Sequence, residues 1–215
     1  MTANNSTHRG AFEYNLATEE LWSMATELQM LREHPPLTKR TDGRYEGNIL
    51  SFVKGLRISA RLIYFLRNCL SEEECEVSWG HILDSSGQSC SPECDVIIHQ
   101  KGQIKQWNGS GPNNCVMDFK FIRASRVRAV VSCKSVVTSI DEGYPEQLEK
   151  FGVSDVFLFG ECCSKTNYAN LKHRAQDAGY INLFCAYFTE SDSPSPVRDE
   201  QHHFEFYDRI RELYS

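Results

Sequence analysis

Ser91-Pro92-Glu93-Cys94-Asp95-Val96-Ile97-Ile98 is the stretch on which the reading of this chain turns. Val96-Ile97-Ile98 is a short β-branched run of the kind that forms a buried strand. An Asp directly ahead of such a strand has no packing reason to be there, since a buried carboxylate costs free energy unless it is partnered. The second informative stretch is Val127-Arg128-Ala129-Val130-Val131-Ser132-Cys133-Lys134, an apolar strand that ends in a lysine. If these two strands pair, Asp95 and Lys134 meet at one end of a sheet. A carboxylate there can hold a hard divalent cation such as Mg²⁺, and a nearby ammonium can position or activate a water.

Working outward, residues 77–84 form a further candidate strand, followed by the turn Ser85-Ser86-Gly87. Downstream, residues 155–160 and 181–188 are apolar runs of strand length. Between them lie helical patterns over residues 145–151 and 167–178, the latter stopped by Gly179. Residues 102–114 are rich in Gly, Asn and Pro and read as a loop, in which Trp107, beside Lys101 and Lys105, could stack on nucleic acid or cover a sheet edge. After Ser/Pro-rich residues 191–196, a last helix is expected over about 203–214. Upstream, Thr18 caps a helix over residues 18–33, and Pro35-Pro36 ends it. A second helix is predicted over residues 48–70, with Leu50, Val53, Leu56, Ala60, Ile63 and Leu66 on its apolar stripe. Three strands in succession, then alternating α and β elements, indicate an α/β fold with a mixed central sheet flanked by helices. The expected division is an N-terminal helical segment, residues 1–70, and an α/β core with a C-terminal helix, residues 71–215.

The chain has 215 residues and a formal charge of −6, enough length for one well-buried domain and the wrong sign for a general nucleic-acid coat. No apolar run approaches the roughly 20 residues of a membrane span, so no membrane partner is expected. The charge is unevenly spread. Residues 32–67 carry eight basic groups against three acidic, and residues 97–134 seven against one, whereas residues 68–96 hold seven acids and no base. Lys54, Arg57 and Arg61 share a helix face; Arg123, Arg126 and Arg128 fall in the second basic segment. Such residues can follow a phosphate backbone or form the wet side of their elements, and both readings stand. The nine cysteines are odd in number and lack the two-residue spacing of zinc knuckles, which favours reduced thiols and a cytoplasmic protein.

In this order, and preceded by Ile82-Leu83-Asp84-Ser85-Ser86-Gly87, the two informative stretches resemble the PD-(D/E)xK restriction-endonuclease-like superfamily. The pattern Asp-Ser-x-Gly, then Ser-x-x-x-Asp with a hydrophobic run, then Ala-Val-hydrophobic-x-x-Lys-Ser is similar to the cyclic-oligonucleotide-activated effector nucleases of bacterial antiphage systems and their relatives. The resemblance covers residues 77–135. It implies a restriction-endonuclease-like core and a Mg²⁺-dependent DNA endonuclease of prokaryotic antiviral defence. DNA, a small nucleotide activator, and a second copy or partner protein are the implied partners. Asp95 matches the metal-binding Asp and Lys134 the catalytic Lys.

The chain departs from that pattern at Ser132, where the family carries an acid two positions before the lysine. Some restriction enzymes with Ser-x-Lys take the missing glutamate from the following helix, where this chain has Glu146 and Glu149. Alternatively Glu93, two positions before Asp95, supplies it. The contrasting expectation is a catalytically degenerate module, binding or regulating within a larger complex.

Overall fold

The apolar runs flanking Asp95 and Lys134 become neighbouring strands of one sheet. The computed structural model describes residues 47–70, 75–101, 105–106, 119–190, 193–197 and 200–212. Among these the order is α1 (Gly47–Cys69), β1 (Cys75–Leu83), β2 (Cys94–Gln100), β3 (Lys105–Gln106), β4 (Phe119–Arg123), β5 (Val127–Val137), α2 (Tyr144–Glu149), β6 (Val156–Ser164), α3 (Lys165–Asp177), β7 (Leu183–Glu190), β8 (Ser193–Val197) and α4 (Glu200–Glu212). The strands lie side by side as β3-β4-β1-β2-β5-β6-β7-β8. β2 lies antiparallel between β1 and β5, whereas β5, β6 and β7 run parallel. Parallel strands need a crossover, and α2 and α3 supply the two required here.

Both sheet faces are covered. On one, Ile58, Leu62, Phe65 and Leu66 of α1 and Phe206 and Ile210 of α4 pack on Val96, Val131, Phe157, Phe159 and Phe184. On the other, Leu148 of α2 and Leu171 and Ala175 of α3 pack on Ile97, Val130, Leu158 and Leu183. The result is the mixed-sheet α/β sandwich that the element order implied. α1 lies over the sheet with a rotated face: Ile63 and Leu66 are buried as expected, but Ile58, Leu62 and Phe65 join them while Leu56 and Ala60 are only half-buried. Period alone fixes a stripe's spacing, and the partner surface fixes its centre.

Four other elements differ from expectation. Lys105–Gln106 forms a short strand inside the expected loop, on the edge of β4, and Phe119–Arg123 is a strand the sequence reading passed over. Ser193–Val197 is an edge strand, antiparallel to β7 through Phe188–Val197 and Glu190–Ser193. Pro194 and Pro196 fit there because an edge strand has one unpaired side, where a missing N–H costs nothing. The last helix begins at Glu200, before the expected start. The helix expected over residues 18–33, Trp107, and the side chains of Lys54 and Arg57 lie outside the described residues. Among the described residues no helix is long and apolar enough to cross a membrane.

Candidate functional site

β2 and β5 pair as antiparallel neighbours as far as Val96–Val131. Beyond that pair the Asp95 carboxylate takes over from the backbone, and its Oδ2 accepts the Cys133 N–H at 2.8 Å. Continued by one place, the register sets Asp95 beside Ser132, whose hydroxyl also hydrogen-bonds the carboxylate. Lys134 follows two residues later, on the same side of an extended strand, and its charge acts on Asp95. Asp95 and Lys134 therefore meet at the seam where the sheet changes from antiparallel to parallel.

The Asp95 carboxyl is held above its ordinary range, chiefly by burial, with the charge of Glu93 adding to the rise. The Cys133 N–H, the Lys134 ammonium and Ser132 pull the other way without winning. Burial also raises the thiols of Cys94 and Cys133 and the phenols of Tyr144 and Tyr180. A thiol pushed up in this manner stays protonated at neutral pH, so Cys133 is a poor nucleophile.

The chain entering β2 is pinned on every side. The Ser91 N–H donates to Ile82 O at 2.8 Å, and its Oγ accepts the Ile82 N–H at 2.9 Å while donating to Pro92 O at 2.7 Å. His81 Nδ1 donates to Ser91 O at 2.8 Å. Trp79 Nε1 donates to Glu93 Oε1 at 2.9 Å, and the Tyr144 hydroxyl lies 3.5 Å from Glu93 O. Sequence reasoning missed Trp79 and Tyr144 altogether. Their partners lie 14 and 51 residues away, and no local pattern marks either side chain.

The remaining expected residues are dispersed. Glu146 and Glu149 lie on the exposed side of α2, and Glu146 forms an ion pair with Lys150 at 3.3 Å. Neither is among the charges that chiefly act on Asp95. Arg123 and Arg128 are exposed, Arg61 is half-buried on α1, and Arg126 donates to Lys101 O at 3.2 Å. Arg128 precedes Lys134 by six residues on one strand, about 20 Å at a strand's rise. Asp84, the first residue of Asp-Ser-x-Gly, does local work: its Oδ1 accepts from Ser86 Oγ at 2.8 Å and from the Gly87 and Gln88 N–H groups at 2.6 and 3.1 Å. Those bonds, led by Ser86, hold its carboxyl below the usual range, and Gly87 supplies the left-handed turn at φ 73°.

Among the described residues no group of three or more His, Cys, Asp and Glu side chains gathers around a common point. The donors at the seam, the two carboxylate oxygens of Asp95, are hard oxygens of one sign. They fit Mg²⁺, which keeps several waters and is commonly held by one or two carboxylates plus substrate phosphate. A cation beside Asp95 would offset both its burial and the Glu93 charge.

Neither a family model nor a curated protein matches the sequence. Solved structures do. The NucC of P. aeruginosa ATCC27853 in its cAAA-bound form is 14% identical, with a TM-score of 0.59 over 94% of this chain and 90% of that one. The NucC of E. coli MS115-1, also cAAA-bound, is 13% identical, with a TM-score of 0.59 over 94% of this chain and 89% of the other. With its strand order and the seam holding Asp95 and Lys134, the chain has the restriction-endonuclease-like α/β fold, and the NucC structures are among those it resembles.

Proposed function

We propose that this chain is a Mg²⁺-dependent nuclease that hydrolyses DNA phosphodiester bonds in antiviral defence, centred on Asp95 and Lys134. The observation that carries this reading is their meeting at the β2–β5 seam, within a fold shared with NucC. Asp95 and one glutamate hold the metal, with Glu93, Glu146 and Glu149 the candidates for the second place. When bound, Mg²⁺ supplies the positive charge that polarises the scissile phosphate. The Lys134 ammonium orients the attacking water toward phosphorus. A water–phosphorus bond forms, one ester bond breaks, and the products are a phosphomonoester and a free hydroxyl. Arg123, Arg126 and Arg128, with Lys54, Arg57 and Arg61, neutralise the phosphate backbone. The ~20 Å from Arg128 to Lys134 is about six base-pair steps, within the footprint of one duplex.

NucC was captured with cAAA, and we extend that to this chain as an activator of the same chemical kind, a cyclic oligonucleotide. The test is incubation of the purified full chain with plasmid DNA and Mg²⁺ or Mn²⁺, with and without a panel of cyclic oligonucleotides that includes cAAA. Cutting is expected, with Lys134→Ala slowing it by about 10²–10⁴-fold. Undiminished cutting by Lys134→Ala would remove the proposed chemistry.

One observation favours a second reading. The Ser132 hydroxyl already partners Asp95, so the carboxylate is hydrogen-bonded without any cation. A module that binds within a larger assembly, without cutting, needs no more. It predicts no divalent-metal binding at millimolar concentration and full function in Asp95→Ala.

A further inference from the structure

Cys133 stands between the two residues of β5 that reach the seam. Ser132 and Lys134 alternate with it along the strand, so its side chain leaves the sheet on the opposite face. There it joins Val131, Phe159 and the α1 residues Ile58 and Leu62 in one apolar cluster. Among the described strands, α1 packs most heavily on β5. Cys133 is held at two points: its N–H donates to Asp95 Oδ2 at 2.8 Å, and its thiol is hydrogen-bonded to the Ser59 hydroxyl of α1. Ser59 is only 2% exposed and Cys133 8%. The Ser59 hydroxyl donates to Gly55 O, one helical turn earlier, at 3.1 Å, which leaves its oxygen to accept from the thiol.

Ser59 has no packing reason to be polar. A serine inside a helix bends its hydroxyl back onto the preceding turn, and an alanine there would favour the helix and suit the apolar cluster better. A residue kept against such local rules points to function. The thiol contact on one face and the amide contact with Asp95 belong to the same residue, so Cys133 cannot shift on α1 without moving the amide that holds the carboxylate.

We propose that Ser59 is the positioning residue for Asp95, acting through Cys133. The helix that covers one sheet face thereby sets the carboxylate at the seam. What this does for ion binding rests on the metal-dependent reading above; the placing of Asp95 does not.

The test compares full-length wild type with Ser59→Ala, Cys133→Ala, the double variant and Cys133→Ser. Amide hydrogen exchange at position 133 is followed by NMR, Mn²⁺ affinity by calorimetry and stability by urea unfolding. Ser59→Ala is expected to speed exchange of the Cys133 amide by about two- to tenfold, the range set by one lost hydrogen bond. Its Mn²⁺ binding is expected to weaken by about tenfold. The urea midpoint should stay or rise, because alanine is the better helix former. The double variant is expected to bind Mn²⁺ no more weakly than either single one, as residues acting through one contact require. Cys133→Ser, which keeps a hydroxyl for Ser59, is expected to bind like the wild type. Wild-type exchange at Cys133 together with wild-type Mn²⁺ affinity in Ser59→Ala overturns the proposal. So does a lowered midpoint with faster exchange throughout the sheet, which would make Ser59 a packing residue. If the wild type binds no Mn²⁺ while Ser59→Ala still loosens the Cys133 amide, the metal-dependent reading falls and the positioning stands.

Discussion

The two halves of the sheet solve different problems. In the parallel half, β6 is buried from Val156 through Cys163 and β7 from Leu183 through Phe188, mostly with aromatic and aliphatic side chains, and the buried Glu161 accepts the Tyr187 hydroxyl at 2.9 Å. In the half that holds the antiparallel pairs β1–β2 and β3–β4, although β4 itself runs parallel to β1, buried polar groups are more numerous: Ser78 and His99 are 0% exposed, and Lys120 of β4 is buried beside Glu76, its Nζ 3.2 Å from Oε2. Buried polar groups survive only when paired, so the antiparallel half places several specific hydrogen bonds in its interior, whereas the parallel half relies mainly on packing and satisfies its buried Glu161 through Tyr187. The candidate site lies where they join. Asp95 stands at the start of β2, just ahead of the buried Val96-Ile97-Ile98, and Lys134 ends the apolar stretch of the neighbouring β5. Open α/β sheets commonly bind ligands where strand order or direction changes.

The strongest way to test that contrast is to remove an aromatic ring from above the parallel half. Phe206 of α4 is buried, with ring centroids 5.0 Å from Phe184, 5.1 Å from Phe159 and 6.4 Å from Phe65. Phe206→Ala is expected to cost about 3–5 kcal/mol of unfolding free energy, since no neighbour can fill the space. Urea denaturation measures it. A loss below about 1 kcal/mol would mean that this face is loosely packed and that the contrast between the halves is overstated.

In the antiparallel half the largest expected effect depends on pH. His99 Nδ1 donates to Gln100 O at 3.1 Å, which leaves Nε2 to accept the Ser78 hydroxyl at 3.0 Å. Those partners assign the neutral tautomer. Burial, aided by the Lys120 and Arg126 charges and opposed by Gln100 O and Glu76, lowers its pKa from 6.5 to about 4. The unfolded chain therefore takes up a proton first as pH falls. The stability held by neutral His99 is complete above about pH 6.5 and drains away between pH 6.5 and 4, with about 2 kcal/mol lost from pH 7 to 5. His99→Gln, able to donate to one partner and accept from the other, should flatten that part of the pH–stability curve. A slope identical to the wild type's would show that other groups carry it.

These contacts explain which parts of the molecule were legible from sequence. The strands of the parallel half are continuous apolar runs, and runs such as Val156–Phe159 announce themselves. β4 does not: its Lys120 reads as a surface residue until Glu76, 44 residues earlier, comes to lie against it. β8 was hidden by two prolines that only an edge position tolerates. Asp95 and Lys134 were legible because a charge abutting a buried strand conflicts with local rules, and such conflicts mark functional sites. The fixing of Glu93 was not, because it depends on β1 and β2 folding back so that Trp79 reaches the entry to β2. The dispersal of the arginines had no sequence signal either, since a charge count carries no direction.

The smallest expected effect is opposite in sign and bears directly on the seam. Because the Asp95 carboxyl sits above its ordinary range, folding disfavours its ionised form. The stability linked to this group is present at low pH and is lost as pH rises from the unfolded value of 3.8 through the raised folded one. At neutral pH the folded chain thus bears the cost of a buried charge whose partners do not fully offset it. Asp95→Asn removes the charge and keeps an oxygen for the Cys133 N–H, 2.8 Å away in the wild type. It is expected to raise the melting midpoint by about 2–4 °C, the size of a gain near 1 kcal/mol in a domain of this length. In the metal-dependent reading the same variant loses divalent-ion binding. More stable and unable to bind the ion is the signature of a residue kept for function against stability. A lowered midpoint would instead make Asp95 a structural cap on the Cys133 amide, and the seam a packing solution like the rest of the sheet.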